Sequence, residues 1–180
     1  MPMTSDEELM LAVGKGDLNA FGEIVLRHQH SAWNIAYRFL GNETDAEDVV
    51  QEAFLKLLDA AEQYRPIALF RTYLHCIVTR LCLDWVAKKQ PIYTNKLPEA
   101  IDPAHTASEK LVSVERDLAV RKVLYKLPPN QRMVIVLKYY GDLGYREIAA
   151  TMEVTEKAVE RLLARGRASL EEYLRNFLGK

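Results

Sequence analysis

Cysteine is nearly absent from this chain, with two among 180 residues, Cys76 and Cys82. That excludes a disulfide framework, and no CxxC or HxxxH spacing offers a metal motif. The two lie six apart on an apolar helix face and read as buried, reduced thiols. Glycine is scarce, at eight residues, and none of it forms a glycine-rich phosphate loop. Long apolar runs are missing, because charge interrupts each one before the roughly 18 residues a membrane span needs. The opening MPMTSDEELM is acidic and lacks the basic and apolar parts of a signal peptide, so a cytoplasmic protein is expected. Strand signals are nearly absent, and internal repeats and low-complexity tracts are lacking. The four histidines, at 28, 30, 75 and 105, show no triad or ligand spacing. No enzyme, no metal and no other cofactor is expected.

What is present is apolar and helical. An apolar fraction of 49% supports folded cores and excludes wholesale disorder. The length allows one or two small domains. Net charge is −1, but its distribution is uneven: −8 over residues 1–62, +3 over 63–108 and +4 over 109–180. An acidic front and a basic rear point to different partners for the two halves.

Apolar residues recur at three and four almost everywhere. Asp17 to Leu40 carries one stripe, and Gly41 ends it as a C-terminal cap. Glu43 to Glu62 is the cleanest helix, with Ala46, Val49, Val50, Ala53, Phe54, Leu57, Leu58 and Ala61 on one side. Pro66 is expected to open a third helix through Phe70, Leu74, Ile77, Val78, Leu81 and Trp85. From about Lys89 the periodicity fails and prolines cluster, as in a flexible linker. Helices resume from Ser108 to Leu127 and from Asn130 to Tyr140. The expected fold is all-α: two small helical domains, 1–88 and 108–180, joined by a linker at 89–107.

The most specific segment is EIAATMEVTEKAVERLLARGR, residues 147–167. A small Ala149 and an apolar Val159 ten residues later are the packing pattern of a helix-turn-helix. Lys157, Glu160, Arg161, Ala164 and Arg165 then share the outer face of the second helix. A basic, hydrogen-bonding face of that kind suits the major groove of duplex DNA.

Two other surfaces stand out. Asp45, Asp48, Glu52 and Asp59, with Gln51 at the edge, line one face of the helix from Glu43. Like charges so spaced repel, so the stripe reads as a dock for a basic partner, with a solvated acidic face as the alternative. Tyr64, Arg65, Arg71, Tyr73, Arg80, Trp85, Lys88 and Lys89 interleave rings with cations. Single-stranded DNA uses both, stacking bases on rings while cations follow phosphates. Some of these rings must be core, and for Trp85 burial and base contact are equally open.

DAEDVVQEAF (45–54), FRTYL (70–74), LPPNQRMVIVL (127–137) and the helix-turn-helix, in this order, resemble a bacterial RNA polymerase sigma factor. The chain is similar to the small extracytoplasmic-function group from about Glu8 to Leu174. The resemblance implies partners: core RNA polymerase, through the clamp helices of its largest subunit and its flap; promoter DNA; and an anti-sigma factor. It implies core-polymerase docking by Asp45, Asp48, Gln51 and Glu52. It implies that the positions from Tyr64 to Lys89 read and open the −10 element, and that Lys157, Glu160, Arg161 and Arg165 contact the −35 element. Tyr73 stands where the family usually has Trp, Arg80 where it has Asn, Ala87 where a basic residue is common, and Glu153 at a turn position often held by Gly.

Two other functions compete. A free-standing helix-turn-helix regulator predicts a dimer on a palindromic site, and leaves the acidic dock and the aromatic-basic helix unexplained. A pure protein-interaction module leaves the groove-facing helix unexplained. Whether the protein shifts duplex DNA alone or only with core polymerase separates them.

Overall fold

The computed structural model describes residues 4–89 and 119–178. The expected linker at 89–107 lies outside them, apart from Lys89, and the expected helix from Ser108 is described only from 119. Every regular element among the described residues is helical. None of these helices is long and apolar enough to cross a membrane.

The first module holds α1 (Asp6–Val13), α2 (Leu18–Leu40), α3 (Glu43–Asp59), a 3-10 turn (Ala61–Gln63) and α4 (Phe70–Lys89). Ser5 opens α1 with a capping box: its backbone N–H donates to Glu8 Oε2 at 2.9 Å, and Glu8 N–H returns to Ser5 Oγ at 3.2 Å. Asp17 caps α2, accepting from the N–H groups of Asn19 and Ala20. Gly41 ends α2 at φ 71°, the left-handed conformation that glycine adopts without cost. Asn42 caps α3 through Asp45 N–H. Phe39, Ile35, Ile24, Val49, Leu57, Phe70 and Leu74 form the centre of the core.

The acidic start is structural. Asp6 accepts from Arg27 Nη1 at 2.8 Å and pairs with His28 Nε2 at 2.8 Å, which pins α1 to α2. Burial pushes the Asp6 carboxyl up, but hydrogen bonds from Arg27 and His28 win and hold it below its ordinary value. Glu7 Oε1 accepts the N–H of Phe70 at 2.8 Å, placing a carboxylate at the start of α4.

The expected start of the third helix is corrected here. Pro66 lies in a non-helical stretch, and α4 begins at Phe70. Ile67 and Leu69 between them are 91% and 62% exposed, so no core holds them in a turn of helix. The helix from Glu43 also stops at Asp59, before the 3-10 turn.

The second module holds α5 (described over 119–126), α6 (Pro129–Tyr139), α7 (Tyr145–Met152) and α8 (Glu156–Leu178). The Pro at the start of α6 occupies a position where a missing N–H costs nothing. Gly166 lets α8 cross close over α6: a Cβ there would sit 3.1 Å from the Ile135 side chain. Leu124, Leu127, Met133, Leu137, Leu143, Ile148, Val159 and Leu163 fill this core.

The modules pack against each other, with α7 on α4 and α6 on α2. Arg132 of α6 is the central contact. It is 5% exposed and donates to the carbonyls of Phe39 at 3.0 Å, Tyr125 at 3.0 Å and Leu127 at 3.2 Å. Its guanidinium also lies over the rings of Tyr125 and Phe39. Phe39 O belongs to the last turn of α2, where a cation is favoured. The thiols are both free, Cys82 buried and Cys76 half-buried.

Candidate nucleic-acid and polymerase interfaces

The helix-turn-helix is built by α7 and α8. Glu147 Oε2 accepts from Gly144 N–H at 2.8 Å and fixes the start of α7. That N–H first, and Arg71 second, hold the Glu147 carboxyl below its ordinary value. Glu153 ends α7 at φ 56°, ψ 42°, and Val154 N–H reaches back to Ala149 O at 3.0 Å. A non-glycine residue in this left-handed conformation costs roughly 1–2 kcal/mol. Thr155 Oγ1 then accepts from Ala158 N–H and starts α8. Ala149 is 6% exposed and Val159 is fully buried, so the two helices meet there. Lys157, Glu160, Arg161, Ala164 and Arg165 are all exposed on the opposite side.

On α3, Asp48, Gln51, Glu52 and Asp59 are exposed. Glu52 pairs along the helix with Lys56 at 3.7 Å. Asp45 is set apart from them, half-buried and paired with Lys89 Nζ at 2.7 Å. Beside the stripe runs a groove of about 600 Å³ between α2 and α3. Phe21, Val25, Trp33, Val50, Phe54 and Leu55 line it, with Glu47 and Gln51 among its polar edges. Trp33 stacks on Tyr37 with ring centroids 4.6 Å apart. Phe21 and Val25 lie on the apolar stripe of α2 and Trp33 beside it, all three partly buried where they line the groove. The available signal was an apolar stripe on α2 wider than one packing face.

The aromatic-basic set on α4 is divided. Tyr64 is 4% exposed and packs against Phe70 and Tyr73, so it is core and leaves the expected stacking surface. The 3-10 turn after α3 directs its ring inward. Tyr73 and Trp85 are half-buried, and Lys89 Nζ lies 4.9 Å from the Trp85 ring centre. Arg65 is exposed and donates to the carbonyls of Glu62 and Tyr64. Lys88 is exposed at the end of α4. Arg71 and Arg80 face the second module, paired with Glu147 at 2.7 Å and Glu153 at 2.5 Å.

A helix-turn-helix with an exposed basic face defines a DNA-binding protein, here joined to a second helical module that carries an acidic-edged groove. Residues 24–92 match Sigma-70 region 2, and residues 117–170 match Sigma-70, region 4. The chain is 31% identical over 175 residues to the ECF RNA polymerase sigma factor SigW of Bacillus subtilis, covering 91% of this chain and 94% of that one. It is 35% identical over 179 residues to SigE of Mycolicibacterium smegmatis, covering 94% of this chain and 69% of that one. Among solved structures, CnrH in complex with the cytosolic domain of CnrY superposes with a TM-score of 0.74 at 27% identity, over 96% of this chain and 99% of that one. The sigma factor RpoE of Bartonella quintana, solved with the anti-sigma factor NepR, shares the fold with a TM-score of 0.67 at 20% identity, over 86% of this chain and 96% of that one.

The chain therefore belongs to the extracytoplasmic-function group of sigma-70 RNA polymerase sigma factors. It directs promoter-specific transcription initiation with core RNA polymerase, and its helix-turn-helix binds DNA.

Proposed function

We propose that α3 docks core polymerase through Asp48, Gln51 and Glu52 together with the apolar groove beside them. In this reading α4 takes the melted −10 strand on Arg71, Tyr73, Arg80, Trp85, Lys88 and Lys89, with Arg65 just before its start. The outer face of α8 reads the −35 duplex. The exposed basic face of α8 carries the assignment: five outward residues share one face while Val159 and Leu163 hold the other side in the core. An acidic edge around an apolar groove supports docking, since steering charge and buried area act together there.

An anti-sigma partner belongs to the same reading. CnrH and RpoE, the structural relatives, were each solved bound to a partner protein. The groove between α2 and α3 suits an amphipathic helix laid across it. Such a helix would compete with core polymerase for α3.

The −35 assignment is tested at Arg161. Arginine pairs two guanine acceptors in the major groove, and Glu160 accepts from cytosine N4, so a short G/C-containing −35 element is expected. Arg161→Ala costs about 1–3 kcal/mol and relaxes preference at one or two base pairs. A randomised −35 library is selected with holoenzyme carrying either form, and an unchanged base profile removes Arg161 from readout. Loss spread evenly over all sequences would instead mark a phosphate contact.

The −10 assignment is tested at Tyr73 and Trp85. A ring that stacks on a base contributes about 1–3 kcal/mol of single-strand binding. Tyr73→Ala and Trp85→Ala should weaken the permanganate-reactive bubble on a promoter recovered from that library, leaving −35 binding intact. Full bubbles from both variants, with helicity retained, would return these rings to packing alone.

A further inference from the structure

By spacing, Asp45 belongs to the acidic stripe of α3, but it does not share the exposure of that stripe. Asp48, Gln51, Glu52 and Asp59 are exposed, whereas the Asp45 side chain is 21% exposed. Its backbone is fixed in the first turn of α3, where its N–H donates to Asn42 Oδ1 at 2.9 Å. From there the carboxylate turns to α4: Oδ2 accepts from Lys89 Nζ at 2.7 Å, across 44 residues of chain. The contact joins the first turn of α3 to the last residue of α4.

Lys89 has a second partner. Trp85 lies one turn before it on the same helix, and the ammonium sits 4.9 Å from the ring centre. The ring is partly buried against the core, so packing sets its place. Packing does not set the ammonium. The Lys89 side chain is 59% exposed, and an unrestrained lysine samples many rotamers. Asp45 and the ring together hold it beside Trp85. A strand that stacks a base on a ring also needs a cation nearby for its phosphates. Here ring and cation are placed together, and the side chain is ordered before the strand arrives.

We propose that Asp45 is a positioning residue of the −10 surface: it orients the Lys89 ammonium beside Trp85 and makes no contact with core polymerase. This separates Asp45 from Asp48 and Glu52, which share its spacing and its charge. The proposal rests on the assignment of the −10 strand to α4. Its sign is distinctive. A carboxylate close to a DNA surface repels phosphate, so removing Asp45 raises the local positive charge. A contact governed by charge alone gains from that removal, whereas a contact governed by the placement of Lys89 loses.

The test uses the full-length chain with core polymerase on a promoter recovered from the −35 library. Asp45→Ala should reduce the permanganate-reactive bubble about three-fold, within the range of a partly exposed ion pair. Its affinity for core polymerase, read by competition with labelled parent chain, should stay at the parent value. Lys89→Met, at an exposed position on the helix end, should give a similar loss. The double variant should lose no more than either single one, as for two residues acting as one unit. Asp45→Glu keeps a carboxylate in the first turn of α3 and should keep the parent bubble. An equal or larger bubble from Asp45→Ala overturns the proposal, and so does a full bubble from Lys89→Met. Additive losses in the double variant overturn it as well, leaving Asp45 a helix-end residue only. A fall in core affinity like that expected of Asp48→Lys would place Asp45 in the dock instead. Full bubbles from both Tyr73→Ala and Trp85→Ala would remove the −10 assignment itself, and this proposal with it.

Discussion

Asp48→Lys lowers affinity for core polymerase by about 2–5 kcal/mol, the range for reversing a charge in a desolvated interfacial cluster. Asp48 is exposed on α3, one turn from Gln51, which lines the apolar groove, and one turn from Glu52. The substitution exchanges an attractive carboxylate for a cation facing a basic partner, so loss of attraction and new repulsion act together. The effect appears in both rates: weaker steering slows association, and an unpaired charge in the contact speeds dissociation. Glu52→Lys follows the same direction and also loses its pairing with Lys56. Asp45 behaves differently, since Lys89 already holds its carboxylate at 2.7 Å and α3 keeps it half-buried. Glu62→Lys, exposed in the 3-10 turn beyond the stripe, serves as the charge control. Fluorescence competition with labelled wild-type chain and core enzyme measures the affinities. Wild-type affinity in Asp48→Lys and Glu52→Lys would end the docking assignment, and equal loss in Glu62→Lys would reduce it to bulk charge.

Local chemistry explains which parts of this fold can be read from the chain. The limits of α2 follow from Asp17 and Gly41, two residues with their own capping geometry. The helix-turn-helix follows from Ala149, Val159 and the spacing of five outward residues. The capping box Ser5–Glu8 is equally local and marks the start of α1 within the acidic opening. The start of α4 was not local. Its cap is Glu7, 63 residues earlier, and no window around Pro66 contains that residue.

The candidate site divides in the same way. The outer face of α8 and the stripe on α3 are periodic on single helices, so spacing finds them. On α4, spacing collected rings and cations together but could not tell which side each takes. That helix is packed by α2 and α3 on one side and by α7 and α6 on another, so no single stripe describes it. Tyr64 went inward because of a 3-10 turn, and Arg71 and Arg80 went to carboxylates more than seventy residues away. Arg132 is the extreme case. A lone arginine after Pro-Pro gives no hint that three backbone carbonyls, one from the other module, await it.

Acid should destabilise the chain before its carboxylates titrate, through His75. This residue is fully buried on α4, with Ser31 Oγ 3.4 Å from Nε2 and, among the described residues, no hydrogen-bond partner at Nδ1. Burial, then the charges of Arg71 and His28, lower its pKa from 6.5 to about 4, and the Glu147 carboxylate opposes them only in part. The folded chain thus holds a neutral ring where the unfolded chain accepts a proton below 6.5. Stability is complete above that pH and falls as the pH drops from 6.5 towards 4. At about 1.4 kcal/mol per tenfold, the whole window is worth about 3 kcal/mol. Asp6 and Glu147, both held below their ordinary values of 3.8 and 4.5, add their own losses only lower down. The slope between pH 6.5 and 5 therefore belongs mainly to His75, a residue packed between α2 and the helix-turn-helix. Urea unfolding midpoints across this range measure it, with His75→Gln as the non-titrating comparison. The variant starts from lower stability but should lose much less of it over the same interval. Parallel pH profiles for the two chains would show that the buried imidazole is not the acid-sensitive group.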